Sequence, residues 1–378
     1  MKKFLRAVLF TILSLVLLFS LYAVVSGRTY LFKAVWYNFA DIDDYEVFTN
    51  NTVVTGQPQA WNISTDYNKA TVPANLKQLL DELSSVALVV IRNDSILHEQ
   101  YWQGYSDSSL SASFSVAKSI TSLLVGCALK EGLIKSLDEP VGNYIPEFKK
   151  GEKAKVRIVD LLTMSSGSNW DESYANPLSV TTQLYYGDDV YKTAIGVKII
   201  QPPGKLYEYK SGDTQLLGLL LEKVTGKSLS AYAAEKLWTI IGAQHAALWS
   251  TDHRGGHEKA YCCFNTNARD FAKLGQLMLD SGRWKGNEII PMDYFQQSIK
   301  PCMLPDRYGN SCDYYGYQWW IVPRSDGIFY ARGILGQYIV VIPQKRMVIV
   351  RLGKKRSSRL VNGAPEEVDA LIKWAVNL

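Results

Sequence analysis

The sequence predicts an α/β protein of the α+β type, with a mainly antiparallel sheet, flanking helices and a helical lobe, preceded by one transmembrane helix. Three observations carry this. Strand signals cluster at both ends of the chain, helical periods fill the middle, and an uncharged run opens it. Sharing one sheet between the two ends would leave the helices as a lobe beside it, with a cleft between. At 378 residues, 47% hydrophobic and 12% aromatic, the chain has ample material for one large core. A formal charge of +5 is small for this length, and the basic residues are scattered apart from Lys354-Lys355-Arg356. That distribution argues against a nucleic-acid-binding surface.

Lys2, Lys3 and Arg6 precede Ala7–Gly27, which carries no charge. The run is long enough to cross a bilayer and longer than the apolar core of a cleaved signal; "AVVSG" is a weak cleavage site. Residues 1–27 are therefore expected to be an uncleaved signal anchor. With the basic flank in the cytoplasm, the rest lies on the extracytoplasmic side, periplasmic or extracellular. Residues 28–72 read as a juxtamembrane segment, aromatic at Trp36, Tyr37 and Phe39 and then acidic and Asn/Thr-rich. Residues 73–378 form the remaining domain.

Within that domain "NLKQLLDELSS" (75–85) has amphipathic helical spacing, and 86–104 reads as two strands joined by a turn at Arg92–Ser95. A helix begins near Ser115 and ends at Gly132. "VRIVDLLTMSSG" and "TQLLGLLLEKVTG" are helical periods closed by glycine, and 268–282 is another helix. Strands return at 315–322, 327–343 and 347–353, before a final helix in "PEEVDALIKWAVNL".

Export would place the five cysteines in a compartment that permits disulfides. Cys302 and Cys312 flank a polar loop and are expected to be bridged, whereas the adjacency of Cys262 and Cys263 disfavours a mutual bond. Cys127 reads as a small buried hydrophobe. The histidines do not cluster and neither C-x-x-C nor H-E-x-x-H occurs, so no zinc site is expected.

Three segments are candidates for chemistry. Ser115-Val116-Ala117-Lys118 is the only S-x-x-K, with hydroxyl and amine on one helical face near a positive dipole end. Alone it is also the pattern of an ordinary surface helix. "QPPGKLYEYKSGD" (201–213) carries Tyr207 and Tyr209 ahead of an apolar helix, where aromatics commonly only pack. "ARGILGQYIVV" (331–341) is a strand with two glycines, which mark a bulge or a close approach.

In this order the three resemble the serine β-lactamase-related family, which includes class C β-lactamases, D-Ala-D-Ala carboxypeptidases, class C-like esterases and 6-aminohexanoate-oligomer hydrolases. "LLTMSSG" (161–167), the stretch 266–291 and "GILGQ" (333–337) look closest to the last branch. The resemblance runs from about Leu76 to the C-terminus and implies a β-lactamase/transpeptidase-like fold. It implies an acyl-accepting Ser115, with Lys118 and Tyr209 as base and acid. The backbone N–H groups of Ser115 and Ile334 would form the oxyanion hole, with no metal or organic cofactor. Ser211 stands where the family's Y-x-N motif has asparagine, and "RGILGQ" lacks the lysine of the K-T-G strand, a gap that Arg332, beside Gly333, would partly fill. Tyr174 and Tyr186 are expected pocket walls. The expected activity is cleavage of small esters or amides. The alternatives are a β-lactamase, a D-Ala-D-Ala carboxypeptidase-like enzyme, or an inactive relative that binds cell-wall fragments or a protein partner. No G-x-S-x-G elbow, P-loop or dinucleotide fingerprint competes with this reading.

Overall fold

Apolar residues run almost unbroken through Val86–Ile91, Tyr338–Ile342 and Met347–Val350, and in the computed structural model, which describes residues Met1–Leu378, these runs lie side by side at the centre of one sheet. The principal strands are β1 (Asn50–Val53), β2 (Asn62–Ile63), β3 (Ser85–Arg92), β4 (Ser95–Tyr101), β5 (Ser111–Ala112), β6 (Ala247–Ser250), β7 (Phe264–Thr266), β8 (Trp320–Ile321), β9 (Phe329–Gly333), β10 (Gln337–Ile342) and β11 (Met347–Gly353). The principal helices are α1 (Lys2–Val25), α2 (Tyr30–Tyr37), α3 (Ala74–Glu82), α4 (Val116–Lys130), α5 (Val180–Tyr186), α6 (Ser211–Thr225), α7 (Ala268–Leu279) and α8 (Glu366–Ala375).

The seven-stranded sheet has the order β8-β9-β10-β11-β3-β4-β2, antiparallel except for β2 beside β4. The two ends of the chain meet where β11 pairs with β3, Val350 opposite Val89. Both faces are covered, which explains the unbroken apolar runs. Val89, Ile91, Ile339 and Val350 point into the larger core with α4 and α7. Leu88, Val90, Val340 and Ile349 pack under α3 and α8, against Leu76, Leu80, Leu371 and Trp374. The fold is the predicted one.

A second sheet, β1-β6-β7-β5, escaped the sequence reading. Its strands are two to four residues long, and β1 begins Asn50-Asn51-Thr52, without an alternating pattern. Pairing with β6, not composition, makes those residues a strand. Residues 28–72 thus supply α2, β1 and β2.

The cysteines depart from expectation. Cys262 and Cys263 are bonded to each other in a turn where Cys263 has φ +68°, while Cys127, Cys302 and Cys312 are free. Main-chain hydrogen bonds close the 302–312 loop without a covalent link: Met303 N–H donates to Cys312 O at 3.0 Å and Cys312 N–H to Leu304 O at 2.8 Å. Cys127 is buried, as predicted.

Candidate active site

Ser115 sits where β5 gives way to α4. Phe114 takes φ +43°, an uncommon backbone for a bulky residue, and the chain then turns directly into the helix, Lys118 N–H donating to Ser115 O at 3.0 Å. The positive dipole end of α4 lies at this point, and its first N–H groups are already engaged, Val116 N–H donating to Ser113 O at 3.1 Å and Ala117 N–H to Phe114 O at 3.0 Å. One turn on, Lys118 is 1% exposed, and its Nζ donates to Ser115 Oγ at 2.8 Å and to Tyr261 O at 3.1 Å. Burial lowers its pKa to about 8, against a smaller upward pull from the Glu172 carboxylate. Burial thus favours the neutral amine, a form that can accept a proton, in direct contact with Ser115 Oγ.

Tyr209 is delivered by the loop that leads into α6. Its hydroxyl lies on the Ser115 side, and its ring centroid is 5.0 Å from Lys118 Nζ. Tyr315 and Trp320 pack around the ring at 6.0 and 5.6 Å. Burial raises the phenol well above its ordinary range, with the negative charge of Glu172 adding to the effect. The phenol keeps its proton at pH values where the lysine loses its own.

The end of β9 comes close to the Ser115 turn because residue 333 is glycine. A Cβ there would lie 2.3 Å from Ser113 O and 3.2 Å from Phe114 Cβ. The same close approach sets Ile334 on the wall of the cavity that also exposes Ser115. Arg351, fully buried on β11, braces the following turn by donating to Gly336 O at 2.8 Å and Leu335 O at 3.2 Å.

The cavity in front of Ser115 measures about 550 Å³ and is mainly apolar. Tyr174 and Tyr186 both line it, as does Ser211. The Ser211 hydroxyl is nevertheless committed, donating to Glu172 Oε1 at 2.6 Å while its N–H donates to Oε2 at 2.6 Å. Arg332 is not among the residues of this wall. It faces a neighbouring, more polar cavity of about 760 Å³ that Tyr209 also lines, with its guanidinium 5.0 Å from the Trp320 ring centroid and its Nε unpaired. Alternation along β9 turns it away from the Ser115 side.

Glu172 was missed. Besides Ser211 it accepts from the Tyr174 hydroxyl at 2.5 Å and from Trp170 Nε1 at 2.9 Å, so it anchors one wall and caps the N-terminus of α6. The acidic "WDESY" was visible, but no local spacing rule links Glu172 to a serine 39 residues later. No group of three or more His, Cys, Asp and Glu side chains is arranged to hold a metal ion.

A family profile described as Beta-lactamase matches residues 72–371. A 6-aminohexanoate-dimer hydrolase from Paenarthrobacter ureafaciens is 27% identical over 300 residues, covering 75% of this chain and 76% of that protein. A solved structure, described as a candidate 6-aminohexanoate-dimer hydrolase from Bacillus anthracis, superposes with a TM-score of 0.75 at 26% identity. The match covers 89% of this chain and 92% of that one. A family VIII carboxylesterase shares the fold, with a TM-score of 0.65 at 17% identity, over 84% of this chain and 99% of its own.

Proposed function

The chain belongs to the Beta-lactamase family of serine hydrolases, and from that premise we propose that it is a membrane-anchored enzyme that cleaves ester or small amide bonds through an acyl-enzyme on Ser115. The contact of 2.8 Å between Ser115 Oγ and a buried lysine of depressed pKa is the observation that supports this most directly. A serine hydroxyl attacks poorly without a base in reach, and a desolvated amine is such a base near neutral pH. Lys118 takes the proton as Ser115 Oγ bonds to the carbonyl carbon. The oxyanion is held between the N–H groups of Ser115 and Ile334. Tyr209 protonates the leaving oxygen or nitrogen, and water then releases the acyl group by the reverse relay.

The test is labelling with a fluorophosphonate probe. Ser115→Ala is expected to abolish labelling and ester hydrolysis while leaving the thermal melting curve in place, and peptide mass spectrometry should locate the adduct on Ser115. Labelling that survives the substitution would move the nucleophile elsewhere. An unlabelled wild-type protein would favour the inactive, partner-binding alternative.

The carboxylate-holding groups of a β-lactamase are incomplete here: Ser211 replaces asparagine and is tied to Glu172, and no lysine precedes Gly333. Losing one charge-assisted contact costs about 1.5–3 kcal/mol, so two should cost at least about a hundredfold. We expect kcat/KM for p-nitrophenyl butyrate to exceed that for nitrocefin by that margin. Equal nitrocefin turnover would establish the lactamase reading instead.

Anchoring rests on α1, the one helix long and apolar enough to cross a membrane. Its 24 residues span about 36 Å, against about 30 Å of hydrocarbon. The protein is expected to stay in the membrane pellet after carbonate washing with its N-terminus intact. A mature N-terminus beginning after Ser26 would make the segment a cleaved signal.

A further inference from the structure

The apolar cavity in front of Ser115 is built partly by the segment that leaves the membrane helix. Ala34, Val35, Asn38 and Phe39, from α2 and the residues after it, form one of its walls. Only Ser26–Thr29 separate α2 from α1, and the outer end of α1 itself packs on this side of the domain. Ala23 is fully buried in a cluster with Tyr30, Leu31, Ala34 and Tyr186, and Phe19 meets Phe32 edge-on at 5.6 Å. Lys33 and Asp188, 2.6 Å apart, pin α2 to the domain. With α1 spanning the bilayer as proposed above, the cavity wall lies within a few residues of the hydrocarbon boundary.

The outward side of α2 and of the residues just after it suits that setting. Val35 is 63%, Trp36 82% and Phe39 78% exposed, an aromatic and aliphatic rim that water alone would not favour and that the interfacial layer accommodates. On the far side of the nucleophile the surroundings change character. The cavity lined by Tyr209 carries Arg307, Arg324 and Arg332 together with Glu208, Asp306 and Asp313. An apolar chamber walled in part by α2 and a mixed-charge chamber thus flank the Ser115–Tyr209 pair.

Building on the serine-hydrolase reading above, we propose that the substrate is a membrane-resident amphiphile, an ester or amide whose long acyl chain enters along α2 and fills the apolar cavity while its polar part faces the Tyr209 side. Ser115 Oγ bonds to the acyl carbon as the bond to the polar part breaks. Tyr209 supplies the proton that leaves with that part, and water then hydrolyses the acyl-enzyme to a fatty acid.

The full-length protein in phosphatidylcholine vesicles tests this with p-nitrophenyl butyrate and p-nitrophenyl dodecanoate. We expect kcat/KM for dodecanoate to exceed that for butyrate at least tenfold. Its rate should follow the mole fraction of ester in the lipid rather than its bulk concentration. Val35→Glu, at an exposed position where a carboxylate does not threaten folding, should lower the dodecanoate-to-butyrate ratio at least tenfold with an unchanged melting temperature. Butyrate turnover with no gain for the longer chain would overturn the proposal while leaving the hydrolase reading intact. So would dependence on bulk concentration, or a ratio indifferent to Val35→Glu. Absence of turnover of both esters, together with absence of fluorophosphonate labelling, would remove both.

Discussion

Lys118→Met is expected to lower kcat/KM for p-nitrophenyl butyrate by about 10³-fold, the middle of the range for a lost general base. Methionine keeps much of the buried volume and deletes only the amine. In the wild type, kcat/KM should rise with pH and level off above about 8, because the amine is the group whose deprotonation creates the base. The variant's residual activity should lack that step. Stability should respond differently from activity. Burial holds the folded-state pKa of Lys118 below its ordinary 10.5, so between about 8 and 10.5 the unfolded chain binds more protons than the folded one. Wild-type stability therefore climbs with pH across that window, and below it the buried charge is a burden. Methionine removes the burden but leaves Tyr261 O without its donor, at about 1–3 kcal/mol. The two effects oppose each other, and a melting temperature unchanged or raised at pH 7 is expected. A pH step that persists in the variant would mean that Lys118 is not the titrating base.

Gly333→Ala should cost about 10²–10³-fold in kcat, the loss typical of one displaced oxyanion donor. The new methyl group would meet Ser113 O at 2.3 Å, a backbone atom that cannot swing aside. Either the end of β9 or the Ser115 turn has to move, and a displacement of about 1 Å is enough to lose about a hundredfold. The fold should survive, because β9 is held to β10 by five residue pairs from Phe329–Val341 to Gly333–Gln337, with an overpacking penalty of about 1–3 kcal/mol. Steady-state kinetics beside a thermal melt separates the two effects. An unchanged kcat would show that the Ile334 N–H is not a donor to the reacting oxygen.

The central strands were readable because sheet faces covered on both sides demand unbroken apolar runs; β11 lies over the predicted 347–353. The strand expected at 315–322 shrinks to Trp320–Ile321, because Tyr315 turns into an aromatic cluster with Tyr207 and Tyr209 instead of pairing along its length. The period at 156–167 yields only a five-residue helix, Ile158–Leu162. The cysteine expectation failed for a related reason. Loop polarity and spacing say nothing about the main-chain bonds that already close 302–312.

The sequence by itself determined the uncharged bilayer-length run at the N-terminus and the shared helical face of Ser115 and Lys118; the glycines of 331–341 left a bulge or a close approach open, and the fold decided for the approach at Gly333. Both are local features of the chain, one a continuous run and the other a spacing within one helical turn. Only the tertiary structure decided that Lys118 is buried enough to titrate near pH 8 and that Glu172 occupies the Ser211 hydroxyl. It alone turned Arg332 toward the polar cavity and made α2 a wall of the apolar one. Desolvation and cavity shape arise from side chains that are distant in sequence and meet only when the chain folds, so no local pattern encodes them.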